Sequence, residues 1–154
     1  MIIKKIEHIW SIICSKSIID QESNNLSLLN VIEQLTVDAK KIESSGRDEK
    51  NRVYVVPIEM TLVSRFKKVV DPKEKIFLEA QYRQFDPDKR LLGTLDTQFE
   101  MGNGIKNFRL RNLFNNLPIT KSGTYTFVIN LREKGENAFI EVATIPLDIT
   151  LNIK

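Results

Sequence analysis

Among its 154 residues the chain has one cysteine, one histidine and one tryptophan. A lone cysteine, Cys14, excludes a disulfide framework within the chain. A lone histidine, His8, excludes most histidine-based zinc sites. No apolar run approaches the ~18–20 residues of a membrane-spanning helix. The N-terminal apolar stretch is broken by Glu7 and His8, so it lacks the roughly 7–15 uninterrupted apolar residues of a secretory signal. With the free cysteine, that gives the expectation of a reducing, cytoplasmic setting. No glycine-rich loop opens a helix: Met101-Gly102-Asn103-Gly104 reads as a hairpin turn, not a phosphate cradle. Neither sign of charge dominates, with 23 Lys+Arg against 20 Asp+Glu.

What is present is an ordinary globular composition, 42% hydrophobic and 28% charged. A chain of this length suits one domain and buries roughly 68–70% of its unfolded surface, enough for a core without metal or disulfide.

The dominant pattern has period two, the signature of strands. Tyr125, Phe127, Ile129 and Leu131 alternate with polar or small residues, and Ala143, Ile145, Leu147, Ile149, Leu151 and Ile153 repeat the theme. Pro146 cannot donate to a ladder, so it places that strand at an edge or at a change of sheet. Tyr54 to Phe66, Ile76 to Tyr82, Leu91 to Met101 and Phe108 to Phe114 alternate likewise. Polar turn sequences separate the runs at 21–25, 71–74, 86–89, 101–104 and 133–137. Residues 26–39 carry both helical and strand spacings and are read as strand, because the preceding segment is β-rich and the turn is short. The prediction is an all-β, single-domain, two-layer antiparallel β-sandwich of about eight strands over residues 1–154, with a mobile charged loop at about 40–51.

Two stretches carry a family resemblance. One is Ile12-Ile13-Cys14-Ser15-Lys16-Ser17-Ile18-Ile19-Asp20, running through a turn into Leu26-Ser27-Leu28-Leu29-Asn30-Val31-Ile32. The other is Leu113-Phe114-Asn115-Asn116-Leu117-Pro118, with Ser122 to Ile129 and the closing Ile145-Pro146-Leu147. Together they resemble an uncharacterised bacterial family of small all-β proteins, a domain of unknown function. Asn30 stands where that pattern has glycine, and Ser15 where it has aspartate. The resemblance implies a β-sandwich and supplies no catalytic residues.

Spacing argues against several chemistries. His8 and Cys14 share strand parity but lie six residues apart, ~20 Å at ~3.3 Å per residue, too far for a nucleophile and its base. Trp10 shares their parity with Ile6 and Ile12 and reads as a core anchor. Asp86 and Asp88 flank a proline as turn aspartates. The acidic turns 71–74 and 86–88 are joined by one strand and fall ~30 Å apart, so they cannot share a calcium ion. No catalytic residue, metal site or cofactor is expected.

Full-length strands sort the loops into two ends. One, with both termini and the 38–52, 86–90 and 115–122 loops, is net basic. The other, with 20–25, 69–75, 100–106 and 133–137, is net acidic. Such polarity would steer an acidic partner or favour head-to-tail stacking of copies. The expected function is a non-catalytic cytoplasmic binding or assembly module. Its partner would be another protein or copies of itself, met through end loops or an exposed strand edge, with Lys40, Lys41, Arg47, Lys50, Lys89 and Arg90 as contact residues. The alternative is a small-molecule or carbohydrate-binding domain, though the inward parity of Tyr54, Tyr82 and Tyr125 argues against an aromatic platform. A third possibility is weak nucleic-acid binding. If their strands adjoin, Arg65, Lys67, Arg109 and Arg111 form one basic sheet face.

Overall fold

Tyr125, Phe127, Ile129 and Leu131 are at most 2% exposed, as their alternation requires of a strand with one face on the core. The same rule runs through the computed structural model, which describes residues 2–3, 5–42, 44–45 and 51–153. Among these the strands are β1 (Ile2–Ile3), β2 (Ile6–Ile19), β3 (Leu26–Val31), β4 (Gln34–Asp38), β5 (Ser44–Ser45), β6 (Val53–Lys68), β7 (Ile76–Phe85), β8 (Leu91–Met101), β9 (Asn107–Ile119), β10 (Gly123–Glu133) and β11 (Ile140–Asn152). One short 3-10 turn, Ala39–Lys41, follows β4. The fold is the expected all-β two-layer sandwich. Half of the predicted 40–51 loop, residues 43 and 46–50, lies outside the described residues, and the rest includes the end of the 3-10 turn and β5.

In the first sheet β6 is central, with β9 along one edge and β2 along the other; β1 and β3 pair with β2, and β5 with β6. The second sheet runs β4-β11-β10-β7-β8. One pair departs from the antiparallel expectation: β4 lies parallel to β11. The 26–38 segment is strand except at Ile32-Glu33, where it leaves the first sheet for the second, and Ala39 opens the 3-10 turn. Just before the switch, Asn30 has φ +50°, a left-handed conformation that asparagine tolerates and glycine prefers. Pro146 pairs with Thr126 on one side and precedes the β4-paired stretch, which begins at Asp148. Its missing N–H therefore costs no ladder bond to β4.

The chain also changes sheets at 69–75, 102–106 and 120–122. The Gly102–Gly104 turn is thus a crossover between sheets, a correction to its reading as a hairpin. Buried Lys68 ties two crossovers together, donating from Nζ to the carbonyls of Pro72 (3.2 Å), Glu74 (2.6 Å) and Gly102 (2.9 Å). At the other end the Tyr125 hydroxyl accepts from the Thr120 and Lys121 amides and donates to the Lys121 carbonyl, at 2.8, 3.1 and 2.8 Å.

Between the sheets, Met60, Leu62 and Phe66 from β6 and Leu117 and Ile119 from β9 join Leu78, Tyr82, Phe127, Ile129 and Leu147 in one apolar cluster. Each fully buried large side chain contributes about 1.5–3 kcal/mol. Phe99 of the second sheet stacks on Phe108 (4.7 Å between centroids) and Phe66 (5.8 Å) of the first. Tyr54, Tyr82 and Tyr125 are buried, as their parity implies.

Candidate functional site

The register of β2 against β6 pairs His8 with Phe66 and Trp10 with Arg65, leaving Ile9 unpaired in a bulge. A bulge inserts one residue and inverts the facing of all that follows. His8 therefore faces the core. Its ring meets Phe66 edge-on at 5.6 Å, and its Nε2 lies 2.7 Å from Ser11 Oγ, itself 2.7 Å from Ser64 Oγ. Burial lowers the His8 pKa from its ordinary 6.5. Trp10 and Cys14 fall on the opposite, outer face of the first sheet. Two sequence expectations are corrected: His8 and Cys14 do not share a side, and Trp10 is not a core anchor.

The outer face continues sideways from Trp10. Arg65 is its cross-strand neighbour on β6, and Arg109 on β9 directly opposes Arg65. Arg111 opposes Val63, and Lys67 lies between Glu7 on β2 and Asn107 on β9. The four residues of the predicted basic sheet face thus adjoin in one sheet. Lys68, next in sequence to Lys67, is buried on the inner side instead. Among the described residues no carboxylate oxygen lies within 4 Å of the Arg65, Arg109, Arg111 or Lys67 side-chain nitrogens.

The β2–β3 hairpin covers this face. Beyond Cys14, which pairs with both Thr61 and Val31, β2 leaves β6 and continues with β3 alone. Extended straight, Ile19 would stand ~30 Å from Trp10. Yet Asn24 at the hairpin tip meets Arg109, the next-but-one strand from Trp10: Nη2 donates to the Asn24 carbonyl at 2.8 Å and to its Oδ1 at 2.7 Å. Arg111 Nη1 reaches Ser17 Oγ at 3.5 Å. The hairpin therefore folds back over the sheet, and Cys14 and Val63 beneath it are fully buried. Burial also raises the Cys14 thiol pKa above its ordinary value, which disfavours the thiolate. Asp20 holds the tip in shape by accepting from the Glu22 and Ser23 amides at 2.9 and 2.7 Å.

Between hairpin and sheet is a depression of about 460 Å3 lined by Trp10, Arg65, Arg109, Asn107, Asn24 and Asn25, with Leu26 and Leu28. Its volume falls within the roughly 300–1,000 Å3 of ligand pockets. Sequence reasoning found the arginines and missed Trp10, because parity was counted straight through Ile9. The available signal was local: Ile6-Glu7-His8-Ile9-Trp10 has apolar residues on both parities, a break in alternation that marks a bulge.

The predicted end-loop residues are arranged differently. Lys89 (φ +65°) and Arg90 are exposed on the β7–β8 turn, and Lys40 is exposed after β4. The Lys41 side chain, Arg47 and Lys50 lie outside the described residues. Asp86, 5% exposed, holds the 86–90 turn by accepting from the Asp88 and Arg90 amides, both at 2.9 Å, and from the Thr120 hydroxyl at 2.9 Å. Lys121 pairs with Asp88, and this hydrogen bond raises its pKa. Gly123 (φ +145°) packs against this turn so closely that a Cβ there would meet Pro87 Cγ at 2.6 Å.

The predicted division into a basic and an acidic end is corrected in two places. The N-terminal segment lies at the other end, where Lys5 Nζ bridges Glu74 and Glu133, each at 2.8 Å. The 20–25 turn lies over the sheet, not at an end. Two acids of the supposed acidic end are thereby paired, and Asp20 and Glu22 are removed from it.

Along one flank, the edges of β8 and β9 bound a groove of about 380 Å3 that includes Tyr82, Leu95, Leu113, Phe114 and Phe127. Among the described residues no three His, Cys, Asp or Glu side chains are placed to hold a metal ion, and no helix is long and apolar enough to cross a membrane.

No protein-family model matches the chain, and no curated protein matches it. A solved structure described as the N-terminal domain of PorA is similar over 92% of this chain and 97% of that one, at 9% identity and a TM-score of 0.28.

Proposed function

We propose that this chain is a non-catalytic binding module, and that its recognition surface is the outer face of the first sheet, where it takes an anionic ligand. The observation that carries this reading is the direct opposition of Arg65 and Arg109 beside Trp10 in a depression, with no carboxylate within 4 Å of them among the described residues. Like charges directly opposite across strands destabilise a sheet. A ligand bringing negative charge would relieve that repulsion and gain charge-assisted, forked hydrogen bonds from the guanidiniums. At the end loops Lys121 already pairs with Asp88 and Lys5 with Glu74 and Glu133, and among the described residues the exposed Lys40, Lys89 and Arg90 have no aromatic wall or depression beside them comparable to that at Trp10.

Binding to heparin, a generic polyanion, tests the reading. Arg65→Gln/Arg109→Gln and Lys89→Gln/Arg90→Gln remove the same charge from the two competing surfaces. The first is expected to elute from a heparin column at markedly lower salt than the parent, and the second close to it. The reverse order would return recognition to the end loops.

A further inference from the structure

Resting on that reading, we infer that the anionic ligand is a single-stranded nucleic acid, its backbone on the arginine row and a base on Trp10. Three features of the depression and of the basic row running out of it go beyond a general taste for negative charge. The first is repetition. Arg109 and Arg111 lie two residues apart on β9, and Lys67 and Arg65 two apart on β6. Each pair is spaced roughly 6.6 Å at ~3.3 Å per residue, a repeat that successive phosphates of a stretched strand can follow. A single phosphate or carboxylate would use one member of the row and leave the rest repelling.

The second is Trp10 itself, half-buried at the wall of the depression and alongside Arg65. Binding of single strands combines a basic track with aromatic rings on which bases stack. An acidic peptide or a sulfated polysaccharide offers that ring only peptide planes or the C–H faces of sugars, poorer stacking partners than a base. The third is the amide set. Asn24, Asn25 and Asn107 line the same depression, and each carboxamide carries both donors and acceptors. Base edges present both as well, whereas carboxylate and sulfate groups only accept. A base must be unpaired to enter beneath the hairpin, which favours single strands over duplex. Glu7 beside Lys67 weakens the field at that end of the row, so the centre of the site is Arg65–Arg109.

Trp10 is the chain's only tryptophan, so its fluorescence reports on this site alone. The full chain would be titrated with oligothymidylate of about 12 nucleotides, within the range of single-strand site sizes. An abasic deoxyribose-phosphate strand of equal length, heparin and poly-glutamate serve as the other probes, all between about 50 and 200 mM salt. Oligothymidylate is expected to quench Trp10 and to bind more tightly than the abasic strand, with affinity falling steeply with salt. Trp10→Ala is expected to weaken oligothymidylate roughly 5- to 150-fold while leaving abasic-strand affinity unchanged, and Trp10→Phe to restore much of the loss. Arg65→Gln/Arg109→Gln would weaken both strands. If the abasic strand, heparin or poly-glutamate binds as tightly as oligothymidylate, without quenching, the anion face stands and the nucleic-acid inference falls. If no polyanion binds, both fall.

Discussion

The outer faces of the two sheets treat arginine in opposite ways. On the second sheet, Arg132 pairs with Glu79 and lies over the Phe139 ring at 4.3 Å, and Arg83 lies over Phe85 at 5.0 Å. Gln98 completes the Glu79 carboxylate. On that face Arg132 is neutralised by a carboxylate and Arg83 rests on an aromatic ring. On the first sheet, Arg65 and Arg109 confront one another, and their bonds go to neutral asparagines. An arginine matched to a carboxylate on one face, and two arginines opposed with only neutral partners on the other, set apart the surface proposed to meet an anionic ligand.

The contrast can be pressed first on β6, where core and recognition residues alternate. Phe66→Ala is expected to cost about 3–5 kcal/mol, while Arg65→Ala and Lys67→Ala on either side stay within about 0.5 kcal/mol. Urea denaturation checks this, and a comparable loss at Arg65 would mean that the row is structural. Next in size, Asp86→Ala removes an almost buried carboxylate accepting three hydrogen bonds. Its loss should cost about 1.5–3 kcal/mol while leaving heparin affinity unchanged, since the proposed recognition surface lies on the first sheet.

Arginine removal on the two faces should then differ in sign. Arg132→Ala loses a partly buried ion pair and a cation–π contact, about 1 kcal/mol. Arg65→Ala relieves a like-charge pair and should be neutral or slightly stabilising. Equal losses in thermal melting would erase the distinction between the faces.

The smallest expected effect is a pH dependence. His8 lies on the inner side with its pKa lowered by burial, so between the folded and unfolded values the unfolded chain binds more protons. Its contribution to stability is complete above pH 6.5 and is lost as pH falls from there through the folded value. His8→Phe should flatten that decline. Ligand binding by the arginines should show no matching step, because guanidinium does not titrate in this range.

Much of the architecture is legible in the alternation of residues, because a period of two is a local consequence of having one face on the core. Tyr125 to Leu131 and Met60 to Phe66 declare their burial without help from the rest of the chain. What alternation cannot carry is any event that resets it or any contact made over distance. The Ile9 bulge inverts Trp10 and Cys14 at the cost of one residue. The crossover at Gly102–Gly104 has the composition of a hairpin turn, and only pairing partners tell the two apart. Arg65, Lys67, Arg109 and Arg111 are visible as basic positions on outward parity, but the opposition of Arg65 to Arg109 depends on a register between strands some forty residues apart. The fold-back of the hairpin rests on the Asn24–Arg109 clasp, 85 residues apart in sequence, and no local pattern announces it.

The location of recognition can be read directly by nitrogen NMR of the arginine Nε–H and tryptophan indole groups during titration with oligothymidylate. The expected result is that Trp10, Arg65 and Arg109 shift together and saturably, while Arg83, Arg90 and Arg132 stay in place. Shifts confined to Arg90, or spread over the second sheet with Trp10 unmoved, would contradict it.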